Sequence, residues 1–494
     1  MAQFSDLRNE RLAKAAQLRA QSIDPYPIAV TVDYSLAQVK KSFIKLEKPQ
    51  QSLALAGRVI GLRRQGRLIF ADLNDGTERL QILIKPEAAG EEALTSFENS
   101  VDRGDFVAVT GTLFLTKTEE PTMLVKTWRP LAKSLRPLPD KWHGLADVDE
   151  RWRRRYLDSL LNEQVRARFI RRSLIIRSLR RFLDKQEYLE VETPMLQSLP
   201  GGANAVPFKT HHAALDLDLY LRISPELYLK KMLIGGFPKV YELSRCFRNE
   251  GIDVTHNPEF TMLEFYEAYS NAAKQHQLVE LLIKHLVKEF GQPTAFTYAG
   301  EKIDCRGRFR VVNYFDLFKS YALITDPETV TDKDLALKAA QFGVTLPAAA
   351  AREKIFDLIY KKICRPKLIQ PTFVIDYPKN YLPLAKTKPD QPLLADAWQL
   401  IIGGLEIAKA FSELNDPLEQ RARFANEEKN KQAGDFEAQS ADEDYLEALE
   451  YGLPPAGGVG IGVDRLVMLL SDAVNIREVI YFPTLRPKDH NQSL

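Results

Sequence analysis

The residues best suited to bind a nucleotide lie between positions 240 and 270. Arg248, Glu250, His256 and Phe260 follow one another there. A guanidinium group binds phosphate, an aromatic ring stacks on a base, and a carboxylate accepts a hydrogen bond from an exocyclic amine. The same residue types also fit a surface hairpin with ordinary salt bridges. The composition of this stretch therefore leaves two interpretations open, a nucleotide clamp and a solvated hairpin.

Two predicted antiparallel strands must position these side chains. Side chains along a strand point to opposite faces in turn. Leu263 and Phe265 therefore share one face, which we expect to belong to a core, and Glu264 and Tyr266 share the other. A loop of about a dozen residues joins the strands, which is longer than a tight hairpin needs.

Two later segments also carry residues that could do chemistry. Residues 399–413 include the carboxylates of Glu406 and Glu413, and residues 454–472 place four glycines before Arg465. Glycines let a strand run close to a ligand. Their spacing lacks the GxGxxG pattern of a dinucleotide-binding turn, and no GxxxxGK phosphate loop occurs in the sequence. Both segments are therefore candidates for ligand contact outside the common nucleotide-binding motifs.

The composition is typical of a globular protein. The chain has 494 residues, of which 45% are hydrophobic and 27% charged, with a formal net charge of +2, and it is long enough for two or three domains. The cysteines Cys246, Cys305 and Cys364 form no CxxC pair, which argues against a disulfide framework or a zinc site. The sequence contains no signal-peptide pattern and no apolar run of membrane-spanning length. We therefore expect a cytoplasmic protein without a membrane partner.

Five β-rich runs separated by turn signals lie within residues 53–131. Five short strands in succession predict a small barrel of the OB type, whose strand face binds single-stranded nucleic acid. The candidate reading surface is Phe70, which would stack on a base, with Arg63 and Gln81 as hydrogen-bond donors. Taken alone, the Phe70 ring fits the barrel core better than a contact surface.

The loop between the two predicted strands carries a family resemblance. The run FRNE at 247–250, followed by His256 and Phe260, resembles motif 2 of the class II aminoacyl-tRNA synthetases. The run HNPEFTMLEFYEAY is similar to the lysine-specific members of that family in particular. With gaps, the resemblance extends over residues 24–487.

Two further segments resemble the other motifs of this family. The run GVDR at 462–465, with the apolar helix after it, resembles motif 3. A predicted helix over 163–186, followed by YLEVETPML, which we predict as a strand ending at Pro194, resembles motif 1. Motif 1 forms the dimer interface in the family, so the resemblance implies a homodimer.

The resemblance implies an α+β fold, in which an N-terminal OB-type β-barrel precedes a class II synthetase catalytic domain built on an antiparallel β-sheet flanked by helices. The expected divisions are an N-terminal helical extension (1–50), an OB-fold anticodon-binding domain (51–135), a linker and hinge (136–165) and the catalytic domain (166–494) with a small helical insertion at about 320–365.

The implied activity is that of a lysine–tRNA ligase. Such an enzyme activates L-lysine with ATP to lysyl-adenylate and transfers it to the 3′ end of tRNA(Lys), with Mg²⁺ as cofactor. The alternatives are an aspartyl- or asparaginyl-type ligase, a paralogue that passes lysine to a protein, and a catalytically impaired RNA-binding paralogue. Glu226 and Glu413 speak against the first alternative, because carboxylates at a pocket floor select a cationic side chain. The predicted barrel speaks against the second, since such paralogues lack it.

The family's roles can be carried onto matching positions of this sequence. The implied catalytic residues are Arg248 and Arg465, and the implied ATP-binding residues are Arg248, Glu250, His256, Phe260, Glu406 and Arg465. The implied lysine-binding residues are Gly202, Glu226, Glu264, Tyr266, Lys409 and Glu413. The implied anticodon-binding residues are Arg63, Phe70 and Gln81, and the implied metal ligands are Glu406 and Gln399.

Several positions depart from the family pattern. Gln399 stands where the family has a carboxylate, so it offers an oxygen without the negative charge. Lys409 stands where the family has an asparagine, and it either replaces metal charge, contacts a phosphate or repels a cationic substrate. Thr255 and Val206 each stand where the family commonly has an arginine. The number of metal ions therefore stays open.

Overall fold

A computed structural model describes residues 2–48, 50–139, 145, 147–347, 350–432 and 441–487. These residues form two compact units, the first holding the described residues up to 139 and the second running from Leu145 to Arg486. Parts of four predicted segments lie outside the described residues: 1 and 49 of the N-terminal extension, 140–144 and 146 of the linker, 348–349 of the helical insertion, and 433–440 and 488–494 of the catalytic domain.

The first unit is built on a closed barrel with the strand order β1-β2-β3-β5-β4. The strands are β1 (Leu53–Gln65), β2 (Leu68–Asn74), β3 (Arg79–Ile84), β4 (Phe106–Leu115) and β5 (Pro121–Ala132). Alternate residues fill its core, as Leu55 and Val59 do from β1 and Ile69 and Ala71 from β2. The predicted OB-type barrel is therefore confirmed.

Helices of the first unit surround this barrel. They are α1 (Ala2–Ala20), α2 (Leu36–Lys41), α3 (Phe43–Glu47), α4 (Pro86–Ala89) and α5 (Glu91–Ser100). Helix α2 begins at a capping box, in which Ser35 and Gln38 each bond to the other's backbone. Helix α5 is anchored by Phe97, whose ring packs edge-on against Trp128 of β5 at 5.0 Å.

The second unit is organised by a large sheet with the order β14-β15-β18-β19-β20-β11-β10-β6 among the described residues. Its neighbouring strands are antiparallel except for the pairs β6–β10 and β14–β15. The strands are β6 (Leu189–Glu190), β10 (Lys239–Phe247), β11 (Glu259–Ala268), β14 (Arg310–Asn313), β15 (Thr372–Ile375), β18 (Ala397–Ile402), β19 (Leu405–Ser412) and β20 (Ala456–Gly462).

Smaller sheets and helices complete the second unit. The remaining strands are β7 (Leu196–Gln197), β8 (Lys209–His212) and β9 (Leu217–Leu221) in one sheet, β12 (Ala295–Tyr298) with β13 (Glu301–Asp304), and β16 (Thr387–Lys388) with β17 (Gln391–Ala395). The helices are α6 (Val148–Arg153), α7 (Arg155–Leu161), α8 (Glu163–Lys185), α9 (Glu226–Ile234), α10 (Ala272–Phe290), α11 (Tyr314–Leu317), α12 (Asp332–Gln341), α13 (Arg352–Ile359), α14 (Pro417–Gln432), α15 (Glu443–Glu450) and α16 (Val463–Leu470). Short 3₁₀ and π turns occur at Phe318–Ala322, Tyr360–Cys364, Arg365–Lys367, Lys379–Tyr381 and Ile476–Glu478.

The main core covers one face of the large sheet. Leu263 and Phe265 of β11 are fully buried there, together with Leu282 of α10, Leu179 of α8 and Leu466 of α16. The neighbouring positions on β11 point to the opposite face, as the alternation in the sequence predicts. An antiparallel-dominated sheet flanked by helices is the predicted fold of this domain, and that prediction is confirmed.

The segment after α8 differs from its prediction. The strand expected to run to Pro194 stops at Glu190. Proline has no backbone N–H to donate to a ladder, and the Thr193 hydroxyl bonds to the Glu242 carboxylate instead. Glu187, at the turn between α8 and β6, has a φ of 63°, the left-handed conformation that glycine adopts most readily.

Within the ranges that the structure describes, no helix combines the length and apolar composition needed to cross a bilayer.

Candidate active site

An open cavity of about 1450 Å³ lies on the face of the large sheet that points away from the core. A site for one drug-sized ligand usually has roughly 300–1,000 Å³, so this cavity has room for more than one substrate. Its lining brings together every residue that we predicted for catalysis or for ATP, lysine and metal binding except Glu413: Gly202, Glu226, Arg248, Glu250, His256, Phe260, Glu264, Tyr266, Gln399, Glu406, Lys409 and Arg465.

One end of the cavity is a buried carboxylate pocket. The Glu264 carboxylate accepts hydrogen bonds from the Ser224 hydroxyl at 2.7 Å and from the Tyr266 hydroxyl at 2.8 Å. Glu226, in the first turn of α9, is also buried. Gly202 lies against it with a φ of +85°, and a Cβ at that position would be 2.9 Å from the Glu226 Cβ. Only glycine therefore fits beside Glu226 without strain.

A lysine that the sequence analysis did not single out lies within this pocket. The Lys230 ammonium group is fully buried, 2.7 Å from Glu226 Oε1 and 2.5 Å from Glu413 Oε2. Burial opposes its charge, but Glu226 and Glu413 together raise the pKa of Lys230 above its ordinary value. The spacing of Glu226 and Lys230, four residues apart on one helix, was the signal in the sequence that could have revealed the pair.

Glu413 lies just behind the cavity wall. It is 1% exposed, and the wall in front of it is Gly458 of β20. A Cβ on Gly458 would come within 2.1 Å of Glu413 Oε1 and 2.3 Å of Tyr266 Cε1. The glycine therefore keeps open the space through which a ligand can reach Glu413.

Crowding of carboxylates perturbs their ionisation. Burial, with the nearby Glu226, raises the pKa of Glu264 to about 7. Burial likewise raises the pKa of Glu413 to about 8, although the Lys230 ammonium group opposes the shift. Near neutral pH the pocket without a ligand therefore retains protons that an added cation would displace.

The other end of the cavity carries arginines. The Arg248 guanidinium lies over the Phe260 ring at 5.1 Å, and the Arg248 backbone N–H donates to the Pro258 carbonyl at 2.8 Å. Arg248 Nε is buried and has no hydrogen-bond partner among the described residues. The Arg248 side chain also lines the cavity, where a guanidinium group is suited to an anionic ligand.

Arg465 is held by the loop between β10 and β11. Its Nη2 lies 2.8 Å from His256 Nε2, and Asp253 Oδ2 lies 2.8 Å from His256 Nδ1. Burial and the Arg465 charge lower the pKa of His256. A neutral His256 that accepts from Arg465 and donates to Asp253 satisfies all three groups. Thr255, in the position of the family's arginine, bonds to Asp253 through its backbone N–H and its hydroxyl.

The predicted metal ligands are surrounded by phenol and ammonium groups. Gln399 Oε1 accepts from the hydroxyls of Tyr377 at 2.9 Å and Tyr360 at 3.4 Å. Burial raises the pKa of Tyr360 and of Tyr377, which keeps both hydroxyls protonated as donors. The Gln399 oxygen therefore already has one close donor, the Tyr377 hydroxyl, and its –NH₂ group is free to donate.

The predicted metal site offers one carboxylate rather than two. Glu406 is a carboxylate in the cavity, and Arg465 and Lys409 lower its pKa against the effect of burial. No group of three or more His, Cys, Asp or Glu side chains in the described ranges is arranged to hold a metal ion. Mg²⁺ requires several oxygen ligands in near-octahedral geometry. Glu406 therefore supplies one protein ligand, and ATP phosphates and water would have to supply most of the others.

The three predicted residues of the barrel differ in exposure. Phe70 is half-buried between the inward-facing Ile69 and Ala71, and it pairs across the ladder with the exposed Arg63. Gln81 is buried, and its Oε1 accepts from the Thr122 hydroxyl at 3.0 Å. Phe70 therefore does not belong to the barrel interior, and its ring is partly available for stacking.

Comparisons with known proteins match both units. A family described as "tRNA synthetases class II (D, K and N)" matches residues 147–486, and one described as "OB-fold nucleic acid binding domain" matches residues 53–131.

Three relatives that match nearly the whole chain are all named lysine–tRNA ligase. A lysine–tRNA ligase of Moorella thermoacetica is 45% identical over 485 residues, covering 98% of this chain and 99% of the relative. One of Pelotomaculum thermopropionicum is 45% identical over 489 residues, covering 98% and 96%. One of Roseiflexus sp. (strain RS-1) is 45% identical over 488 residues, covering 99% and 100%.

Proposed function

This chain belongs to the lysine–tRNA ligases of the class II tRNA synthetase family, and from that premise we propose how its residues activate lysine with ATP and charge tRNA(Lys). The observation that carries the proposal is the charge balance of the carboxylate pocket. Glu226, Glu264 and Glu413 face one resident ammonium group, that of Lys230. The remaining negative charge matches the two amino groups of a lysine substrate.

At the amino-acid end, the side-chain ammonium group of the substrate binds Glu264, Glu413 and the Tyr266 hydroxyl. The α-amino group lies toward Glu226 and Gly202. An aspartate or asparagine side chain offers no positive charge to these buried carboxylates and would leave them uncompensated. The site therefore favours lysine over the substrates of the aspartyl and asparaginyl relatives.

At the nucleotide end, Phe260 stacks on the adenine ring and Glu250 accepts from its exocyclic amine. Arg248 bridges the substrate carboxylate and the α-phosphate, while Arg465, oriented by His256, binds the γ-phosphate. Arg248 lines the cavity with its guanidinium group over the Phe260 ring, which supports this assignment.

The reaction needs no nucleophilic side chain. A carboxylate oxygen of lysine forms a bond to the α-phosphorus while the bond from that phosphorus to the bridging oxygen breaks, and pyrophosphate leaves. A terminal ribose hydroxyl of the tRNA then attacks the carbonyl carbon, loses its proton and releases AMP. The protein contributes position and positive charge through Arg248 and Arg465.

The predicted Mg²⁺ has a limited place in this proposal. Mg²⁺ bound to ATP neutralises phosphate charge, and Glu406 is the predicted ligand whose carboxylate is available to it. Gln399 is the poorer ligand, because its oxygen carries no charge and already accepts from the Tyr377 hydroxyl. The reaction steps above therefore use protein side chains alone.

The barrel and the motif 1 region suggest the remaining partners. Phe70, Gln81 and Arg63 bind the anticodon, with the Phe70 ring on a base. Helix α8 and the strand after it form a homodimer interface, and the protein works in the cytoplasm. We propose the domain boundaries given above: a helical extension (1–50), the anticodon-binding domain (51–135), a linker and hinge (136–165) and the catalytic domain (166–494).

The test is amino-acid-dependent ATP–pyrophosphate exchange without tRNA, using lysine, aspartate, asparagine and ornithine. Exchange with lysine alone is expected. Exchange with aspartate would contradict the roles of Glu264 and Glu413, and silence with every amino acid would favour a catalytically impaired RNA-binding protein.

A further inference from the structure

Lys409 is a cavity-facing cation without a partner of its own. It lies on β19, opposite Gln399 of β18 and Gly460 of β20. Within the described residues, no carboxylate lies within ion-pair distance of its ammonium group. Lysines that serve only the fold usually pair, as Lys230 does. Lys409 is therefore available to a ligand.

The charges around Lys409 place it between the two ends of the cavity. Burial lowers the pKa of the Lys409 ammonium group, Glu406 on the nucleotide side and Glu226 on the amino-acid side oppose that shift, and the Arg248 guanidinium adds to it. The substrate carboxylate and the α-phosphate must meet at this junction. The two negatively charged groups repel each other there, and a cation between them lowers that repulsion.

The residue opposite Lys409 is oriented as a donor as well. Because Tyr377 and Tyr360 occupy the oxygen of Gln399, its –NH₂ group is the part left for the cavity. Two neighbouring positions on β18 and β19 therefore offer N–H donors where a metal site would need oxygen ligands.

We propose that Lys409 is a resident cation of the reaction centre, contacting the α-phosphate of ATP and supplying the charge that a protein-held metal ion would otherwise supply. This inference rests on the proposed function. Lysine suits the role, because its ammonium group is a compact charge with three donors. The protein then needs Mg²⁺ only as the ion that ATP carries.

The direct test measures ATP binding rather than turnover. Titration calorimetry of the full chain with ATP is done in EDTA and again with saturating Mg²⁺. The unchanged protein is expected to bind metal-free ATP, and Lys409→Met is expected to bind it about 10- to 100-fold more weakly, as for loss of a charged hydrogen bond. Lys409→Arg, which keeps the charge, should stay close to the unchanged protein.

A charge-matched control separates contact from general electrostatics. Lys274→Met removes the same charge from α10, where Lys274 pairs with Glu267 at 2.9 Å, and should leave ATP binding unchanged. Equal binding of metal-free ATP by Lys409→Met and the unchanged protein would overturn the proposal. Failure of the unchanged protein to bind ATP in EDTA would overturn it too.

A second variant tests the exchange of charge between positions 399 and 409. Gln399→Glu combined with Lys409→Met gives the site a carboxylate and removes the ammonium group. This double variant should regain ATP binding only when Mg²⁺ is present. If the double variant binds ATP no better than Lys409→Met at every Mg²⁺ concentration, the Lys409 ammonium group does not replace the charge of a protein-held metal ion.

These outcomes are distinct from failure of the proposed function. Lysine-dependent exchange by the unchanged protein at saturating Mg²⁺ would uphold the ligase, whatever happens in EDTA. A protein that shows this exchange but binds no metal-free ATP would keep its function and lose the proposed role of Lys409.

Discussion

At the scale of single residues, Lys230 fixes the charge of the carboxylate pocket. Replacing it with methionine would leave Glu226 and Glu413 buried without their shared partner. Removing one member of a buried ion pair costs about 3–5 kcal/mol. We expect Lys230→Met to lower the free energy of unfolding of the second unit by that order, measured by urea denaturation.

The neighbouring lysine provides a matched control for this change. Lys231 lies on the same helix and packs over the Tyr228 ring at 5.3 Å. Lys231→Met should change stability far less. If both substitutions have equal effects, the ion pair of Lys230 does not stabilise the protein as the geometry indicates.

The raised pKa values of Glu264 and Glu413, about 7 and about 8, predict a pH-dependent lysine affinity. A cation binds the ionised carboxylates, so the KM for lysine should fall as pH rises from about 6 and level off above about 8.5. The stability of the ligand-free protein should fall as pH rises, whereas its affinity for lysine should increase. A carboxyl group with a raised pKa stabilises the fold fully below its unfolded pKa and loses that contribution as pH rises through the folded value.

Calorimetry tests this prediction directly. Lysine binding near pH 7.5 should release protons, so its measured enthalpy should depend on the ionisation enthalpy of the buffer. Identical enthalpies in phosphate and Tris would show that the two carboxyl groups are already ionised before lysine binds.

Part of this site could be predicted from residue types alone, and part could not. Glu226, Glu264 and Tyr266 follow from the strand pattern and the family motifs. The orientation of Gln399 does not, because Tyr360 and Tyr377 come from segments whose placement depends on the whole sheet. The assignment of Gln399 as a metal ligand stays a prediction, and the amide itself lines the cavity.

At the scale of elements, β20 must approach β11 and β19 closely for the pocket to exist. Gly458 pairs with Tyr266 on one side and Phe411 on the other. A methyl group there would overlap Glu413 Oε1, and such overpacking costs about 1–3 kcal/mol. We expect Gly458→Ala to weaken lysine binding about 10-fold or more in equilibrium dialysis.

The same strand supplies the control. A Cβ on Gly462 would have its nearest neighbour, Arg465 Cδ, at 3.8 Å, an ordinary van der Waals contact. Gly462→Ala should therefore keep lysine binding. Equal losses in the two variants would indicate that the strand tolerates no side chain anywhere, rather than a specific overlap at Glu413.

The barrel allows a prediction that separates tRNA recognition from amino-acid activation. Stacking of a base on an aromatic side chain contributes about 1–3 kcal/mol. Phe70→Ala should therefore lower kcat/KM for tRNA charging by about 10- to 100-fold. ATP–pyrophosphate exchange with lysine, which needs no tRNA, should stay unchanged in the same preparation. A loss of exchange would show that the substitution had disturbed more than the reading surface.

Elements with strong sequence patterns were predicted well, and short edge elements were not. The barrel strands and the β10–β11 pair follow from alternation and turn signals. The segment after α8 has the alternation of a strand, but Pro194 cannot continue a ladder, and the segment pairs over two residues only. The alternation of residue types therefore predicted the spacing of apolar side chains in this segment, but not how many of its residues form strand-pairing hydrogen bonds.

At the scale of the whole molecule, exposed apolar side chains mark the motif 1 region. Ile170 and Leu174 lie four residues apart on α8 and are 54% and 40% exposed, and Leu189 and Leu196 are exposed beyond the helix. Apolar side chains gathered in this way are typical of an interface. We expect the wild-type protein to sediment as a dimer. The double variant Ile170→Glu with Leu174→Glu should sediment as a monomer.

An exposed leucine on another helix controls for the charge. Leu281 of α10 is 59% exposed, and Leu281→Glu should leave the dimer intact. A monomer for the unchanged protein would contradict the interface predicted from motif 1.

The division into two units was predictable because each unit has its own pattern. Short alternating runs fill the first unit, and long helices with glycine-rich and acidic strand segments fill the second. The predicted linker and hinge at 136–165 includes two short helices, α6 and α7.

The shared ion pair of Lys230 also constrains how this pocket can evolve. Losing Lys230, Glu226 or Glu413 alone leaves unbalanced charge among buried side chains. A lineage that changes the amino acid recognised here would therefore have to alter these positions together, or pass through a poorly folded intermediate. Substrate preference in this fold is thus protected by an internal lysine that need not touch the substrate.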